Sequence, residues 1–126
     1  MINLKNTESL KKNYEIKKVM KYGKFYGGHY LDFFIMPNRT NKNYICVVVT
    51  KKTGNSVVRN RIKRKLRENY RLLEKDVNIG NCLIILWKKN INCVESDFYQ
   101  VKEEMIKIFK KANLLLLFVV SFYKKI

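Results

Sequence analysis

Proline and histidine each occur once in this 126-residue chain, cysteine occurs three times, and acids number only 10. Each scarcity removes a class of protein. With one proline and 5 glycines, no stretch has the composition of a linker or a low-complexity segment. Cys46, Cys82 and Cys93 are odd in number and none belongs to a C-x-x-C pair, which argues against a disulfide framework. With His29 as the lone imidazole, a Cys/His zinc site is equally poorly supplied. Such cysteine usage fits a reducing cytoplasm. Residues 1–12 are polar and hold no apolar core of a secretory signal. The longest apolar run, residues 114–120, falls well short of the roughly 20 residues that span a bilayer. A cytoplasmic protein with no obligate membrane contact is the expectation.

What the chain does have is apolar material and positive charge. Hydrophobic residues make up 47% and aromatics 13%, enough for one packed domain over residues 1–126. Lysine and arginine number 27 against 10 acids, a net charge of +17. Self-repulsion on this scale favours a polyanionic partner, nucleic acid first and an anionic membrane surface second.

Periodicity orders the elements. Leu10, Ile16, Val19 and Met20 recur at helical spacing until Gly23, predicting a short amphipathic helix over residues 10–20. Phe25 and Tyr26 allow a very short edge strand. Residues 29–36 alternate, with Leu31, Phe33 and Ile35 on one face and Tyr30, Asp32, Phe34 and Met36 on the other. Pro37 and the polar turn 38–41 then suggest a hairpin into residues 44–50, whose near-continuous apolar character suits a strand buried on both faces. After Gly54, Asn55 and Ser56 offer a cap, and Val58, Ile62, Leu66, Tyr70 and Leu73 mark a helix of about five turns. Residues 82–87 read as a buried strand. Residues 97–111, capped by Ser96, read as a last helix with Phe98, Val101, Met105, Ile108 and Phe109 on one stripe. The pattern predicts an α/β (α+β) domain around a single mixed sheet.

Charge is concentrated in one place. Lys51, Lys52, Arg59, Arg61, Lys63, Arg64, Lys65, Arg67 and Arg71 face a single anion, Glu68, within 21 residues. A solvated helix face normally interleaves acids with bases at i, i+4, and this one barely does. Arg59 and Arg61 also sit near the helix N-terminus, where the macrodipole disfavours cations unless an external anion compensates. Phosphate is such an anion, and arginine forks grip it bidentately, with Asn60 adding a neutral donor and acceptor.

The run Lys51-Lys52-Thr53-Gly54-Asn55, followed by Arg59-Asn60-Arg61-Ile62-Lys63-Arg64, closely resembles the RNR motif of the bacterial ribonuclease P protein component. Leu10-Lys11-Lys12-Asn13, Val19, Gly23 and the element order extend the resemblance over about residues 10–111. The resemblance implies a two-layer α/β sandwich with a left-handed β-α-β crossover through the basic helix. It implies a catalytic RNA as partner, which removes the 5′ leader of precursor tRNA by Mg²⁺-dependent hydrolysis, with no catalytic residue, metal or cofactor held by the protein itself and no obligate protein partner. By the same resemblance, Lys51, Lys52, Asn55, Arg59, Asn60, Arg61, Lys63, Arg64, Lys65 and Arg67 contact RNA. Lys12, Ile16, Met20, Tyr30 and Phe34 line a leader-binding cleft between the first helix and the sheet.

The chain departs from that pattern in three places. Ile16 and Met20 stand where the family usually has aromatics, Cys46 replaces a common strand glycine, and the tail, residues 112–126, is apolar rather than lysine-rich. Phe34 suits either base stacking or packing under the first helix. Two other readings compete. Asp32, Glu95, Asp97, Glu103 and Glu104 are the acids available to an independent nuclease, but no D-x-D or H-x-E arrangement joins them. A ribosomal, other structured-RNA-binding or DNA-binding protein would share the basic helix.

Overall fold

The computed structural model describes residues 6–88 and 97–115. Five strands, β1 (Thr7–Ser9), β2 (Lys24–Gly27), β3 (Leu31–Pro37), β4 (Asn43–Val48) and β5 (Asn81–Trp87), form one mixed sheet in the order β1-β4-β5-β3-β2. Three helices, α1 (Asn13–Tyr22), α2 (Ser56–Leu73) and α3 (Asp97–Lys111), cover it. The most continuously apolar strand, β5, takes the centre, where both faces can be covered and both edges hydrogen-bonded. It runs parallel to β4 and antiparallel to β3. This overturns the hairpin expected between β3 and β4: β5 separates them, and the turn at residues 38–41 spans the width of a strand. Asn38 N–H donates to Gly80 O at 2.9 Å, and Gly80 enters β5 with φ of 96°, a left-handed conformation suited to glycine. The two parallel strands β4 and β5 are joined through α2, as a β-α-β unit requires.

The pleat sends alternate residues to opposite faces. One face buries Leu31, Phe33, Ile35, Ile45, Val47, Leu83, Ile85 and Trp87 against Ile62, Leu66, Tyr70 and Leu73 of α2 and Val101, Met105, Ile108 and Phe109 of α3. Across the sheet, Cys82 and Ile84 are buried with Leu10 and with Val19 of α1. Phe34, Met36, Tyr44, Cys46 and Val48 on that face are only half-buried. The strand from residue 44 is therefore closed on one side and partly open on the other.

Local departures from the expected elements have local causes. The first helix begins at Asn13, because Leu10 N–H donates to Ile45 O at 2.8 Å and keeps the chain extended beside β4. Three of those extended residues form β1, a parallel edge strand too short and polar to signal itself. Val58 is 41% exposed, so the buried stripe of α2 starts one turn later, at Ile62. Ser96, the expected cap of α3, lies outside the described residues.

A buried polar knot ties the far end of the sheet together. Asn43 Nδ2 donates to Asn78 O at 3.0 Å, Asn43 Oδ1 accepts from Asn81 N–H at 2.9 Å, and Thr7 and Tyr70 share a hydrogen bond at 2.8 Å. Burial pushes the Tyr70 hydroxyl pKa up, while the bonds from Thr7 and Asn43 oppose that shift. The start of the apolar tail joins the same region: Leu114 and Leu115 are buried, and Leu115 bridges Val77 antiparallel. Residues 116–126 lie outside the described residues.

Candidate RNA interface

The basic segment leaves the sheet at the C-terminal end of β4. A 3-10 turn, Lys51–Thr53, exposes both lysines, and the Asn55 side chain then caps α2 by accepting from Val58 N–H at 3.0 Å. The first turn of α2 carries no acid to complement its dipole. Ile62, Leu66 and Tyr70 hold the helix to the core by its apolar stripe. Asn60, Arg61, Arg64 and Arg67 are thereby turned outward, with Arg59, Lys63 and Lys65 half-buried at the margins. Lys65 meets the one acid on the helix, Glu68, at 3.8 Å. Three polar atoms of this segment, Thr50 Oγ1, Thr53 Oγ1 and Arg59 Nε, are buried and have no hydrogen-bond partner. Leaving buried donors unmade is costly, which favours a partner or water there. All ten residues expected to contact RNA thus belong to one continuous turn and helix.

The flank of α2 continues toward the sheet. A groove of about 300 Å³ is lined by Lys11, Cys46, Val47, Arg67 and Tyr70 among others. Burial pushes the Cys46 thiol up, while the charges of Arg67 and Lys63 pull it the other way.

On that face, the expected cleft residues separate into two groups. Ile16 is half-buried against the Ile84 cluster, Met20 is 41% exposed on α1, and Lys12 at the start of α1 holds its ammonium 5.8 Å from the Tyr14 ring centre. Phe34 shares the face and is partly exposed. Tyr30 does not: it packs on the opposite, closed face, 5.9 Å from the Trp87 ring, with its hydroxyl donating to Gln100 at 2.7 Å. Strict alternation fails because Tyr30 precedes β3. The carboxylate of Glu104 in α3 accepts from the N–H groups of His29, Tyr30 and Leu31, fixing the approach to the strand from the closed side. Gly28 permits this, since a Cβ there would meet Glu104 Cδ at 2.6 Å.

One aromatic of the face was not anticipated as a site residue. Phe25 in β2 pairs with Phe34 in register, and their rings meet edge to face at 5.3 Å. Phe25 remains 54% exposed. Only the pairing of β2 with β3 reveals this, and no local pattern in residues 24–27 carries it. Among the described residues, no three side chains of the metal-ligating types come together, and Glu104 is committed to backbone amides. No described helix is long and apolar enough to cross a membrane.

The family model described as Ribonuclease P matches residues 4–113. This chain belongs to the ribonuclease P protein family. Among its relatives, the ribonuclease P protein component of Natranaerobius thermophilus is 41% identical over 107 residues, covering 85% of this chain and 91% of that one. The component from Clostridium botulinum strain Loch Maree is 38% identical, covering 83% and 94%. The fold agrees with solved ribonuclease P proteins of Staphylococcus aureus (TM-score 0.73, 21% identity, 86% of this chain and 97% of that one) and Thermotoga maritima (TM-score 0.71, 22% identity, 82% and 96%). The mixed sheet with its helices is therefore the ribonuclease P protein fold, and the basic turn and helix carry the motif that the sequence resembles.

Proposed function

We propose that the chain is the protein subunit of a ribonucleoprotein endonuclease, binding the ribonuclease P RNA through α2 and the leader of precursor tRNA through the half-open sheet face. The observation that carries this reading is the outward face of α2: Asn60, Arg61, Arg64 and Arg67 exposed together, without acids in the first turn. Such a face binds phosphates, releases counterions and lowers the cost of bringing two polyanions together. The sheet face beside α1 supplies Phe34 as a stacking surface, with Ile16 and Met20 as an aliphatic wall. Tyr30, being on the closed side, is not part of this cleft. Catalysis belongs to the RNA and its Mg²⁺ in this reading, and the protein holds and orients the substrate.

Reconstitution tests it in one titration series. RNA-free protein leaves precursor tRNA intact in Mg²⁺, and protein with its cognate catalytic RNA removes the leader. Arg64→Ala weakens RNA binding and lowers the log-log salt slope by about one for each phosphate it no longer neutralises. Leader removal without RNA, or a salt slope unchanged in the variant, contradicts the proposal.

A further inference from the structure

The helix α1 has a second flank that the leader cleft does not use. At 3.6 residues per turn, Tyr14, Lys18 and Tyr22 fall at i, i+4 and i+8 on one ridge, on the other side of the helix from Ile16 and Met20. Both tyrosines are 67% exposed, so neither serves the core. Each ring has a lysine beside it: the Lys12 ammonium lies 5.8 Å from the Tyr14 ring centre and that of Lys21 lies 5.3 Å from the Tyr22 ring centre.

Beside this ridge, a groove of about 380 Å³ runs between α1 and the turn after β3, lined by Tyr14, Glu15, Lys18, Met36, Asn38 and Arg39 among others. Arg39 sits there with φ of 58°, a left-handed conformation that a residue other than glycine adopts at a cost. Asn38 holds it in place: Oδ1 accepts from Thr40 N–H at 2.8 Å, and Nδ2 donates to Lys42 O at 3.0 Å. The turn thus sets a cation on the groove wall facing the one that Lys18 lines. Among the described residues, Lys18, Lys21 and Arg39 have no acidic partner. Glu15, the one acid of the groove, is half-buried in the first turn of α1, where it complements the helix dipole.

We propose that this outer flank of α1 is a second single-strand RNA site, which takes the upstream nucleotides of a long leader after the strand has left the cleft. The proposal rests on the leader-cleft reading above. Alternating exposed rings and ammonium groups are the chemistry that single strands require, with rings for base faces and cations for the backbone. Eight residues of helix place Tyr14 and Tyr22 about 12 Å apart along the axis, far more than the roughly 3.4 Å between stacked neighbours. Each ring therefore takes its own base, and Lys18, Lys21 and Arg39 neutralise the phosphates between. The leader is the strand within reach, because α1 is the wall of its cleft and a helix is only about 10–12 Å across. The catalytic RNA is held from the other layer, since α2 packs on the opposite face of the sheet.

The test uses the protein reconstituted with its cognate catalytic RNA and precursor tRNAs whose single-stranded leaders are lengthened one nucleotide at a time. For the wild type, the substrate dissociation constant falls in two steps, the first as the cleft fills and the second, about tenfold for each stacked base, as the strand reaches the outer flank. Tyr14→Ala combined with Tyr22→Ala removes the second step and keeps the first. Abasic nucleotides at the second-step positions weaken the wild type as much and the double variant no further. Arg39→Gly, which suits the left-handed turn, keeps the fold and lowers the log-log salt slope by about 0.7 on long leaders alone, the share of one phosphate in a single strand. A single step in the wild type, or a second step retained in the double variant, overturns the proposal. Weaker binding of the double variant to the catalytic RNA without substrate also overturns it, because the ridge then serves that RNA. If Phe34→Ala loses the first step while the wild type shows no second one, the cleft stands without this site. If Phe34→Ala keeps the first step, the cleft reading falls.

Discussion

The two faces of the sheet are built from the same five strands and end in opposite conditions. One is sealed: two helices press on it, and Trp87, Tyr70, Phe33 and Phe109 are among its fully buried side chains. Among the described residues, the other is covered by α1 alone, which buries Cys82 and Ile84 and leaves Phe34, Leu86, Val48 and Asp32 half-open. The sealed face is explained by packing alone. On the open face, packing leaves Phe25 54% exposed and Phe34 half-buried, and a stacking partner accounts for both. Substitutions should therefore separate the faces, with stability lost on one and RNA binding on the other.

The largest effect belongs to the sealed face. Phe109 is fully buried and meets Phe33 and Tyr70 edge to face at 5.6 Å and 6.2 Å. Phe109→Ala costs about 3–5 kcal/mol of folding free energy in denaturant titration. RNA affinity, measured where the variant is still folded, stays within error of the wild type. A selective RNA defect in a fully stable variant would dissolve the distinction between the faces.

Next comes the clamp between α3 and the entry to β3. Glu104→Gln replaces a charged acceptor of three backbone N–H groups with an amide that has one acceptor oxygen, costing about 2–3 kcal/mol. Hydrogen exchange at residues 29–31 accelerates while the core of β5 stays protected. Uniform acceleration across the sheet would show that the clamp is not local.

The smallest is at the polar knot. Tyr70→Phe gives up the bonds with Thr7 and Asn43 and costs about 1 kcal/mol at neutral pH. Burial raises the Tyr70 pKa in the folded state. Its contribution is therefore complete below the unfolded tyrosine value of about 10 and is lost as pH rises beyond it. Melting between pH 8 and 11 falls less steeply for the phenylalanine variant. Parallel profiles would show that Tyr70 carries no part of the alkaline loss.

How much of this is legible in the sequence depends on how local the signal is. The basic turn, the Asn55 cap and the Ile62, Leu66 and Tyr70 stripe are all contained in one helix and its approach, and so α2 is legible from the sequence, Val58 excepted, which the first turn leaves exposed. Residues 82–87 announce a buried strand by composition, yet not their central position, because strand order is decided by long-range pairing. β1 has three residues and no apolar pattern, and it exists through its parallel pairing with β4. Alternation carried one residue past the strand puts Tyr30 on the wrong face, because Glu104 governs the backbone there instead. Phe25 escapes notice because its role comes from Phe34, nine positions away and brought alongside by register.

The central claim is that the open face holds the leader, and Phe34 tests it most directly. Phe34→Ala is compared with wild type on precursor tRNA carrying a long leader and on one carrying a single leader nucleotide, with folding stability measured in parallel. The account predicts a loss of about 1–3 kcal/mol in binding the long-leader substrate, no loss on the short one, and little change in stability. Equal defects on both substrates, or a stability loss of about 3–5 kcal/mol, would contradict it and return Phe34 to the core.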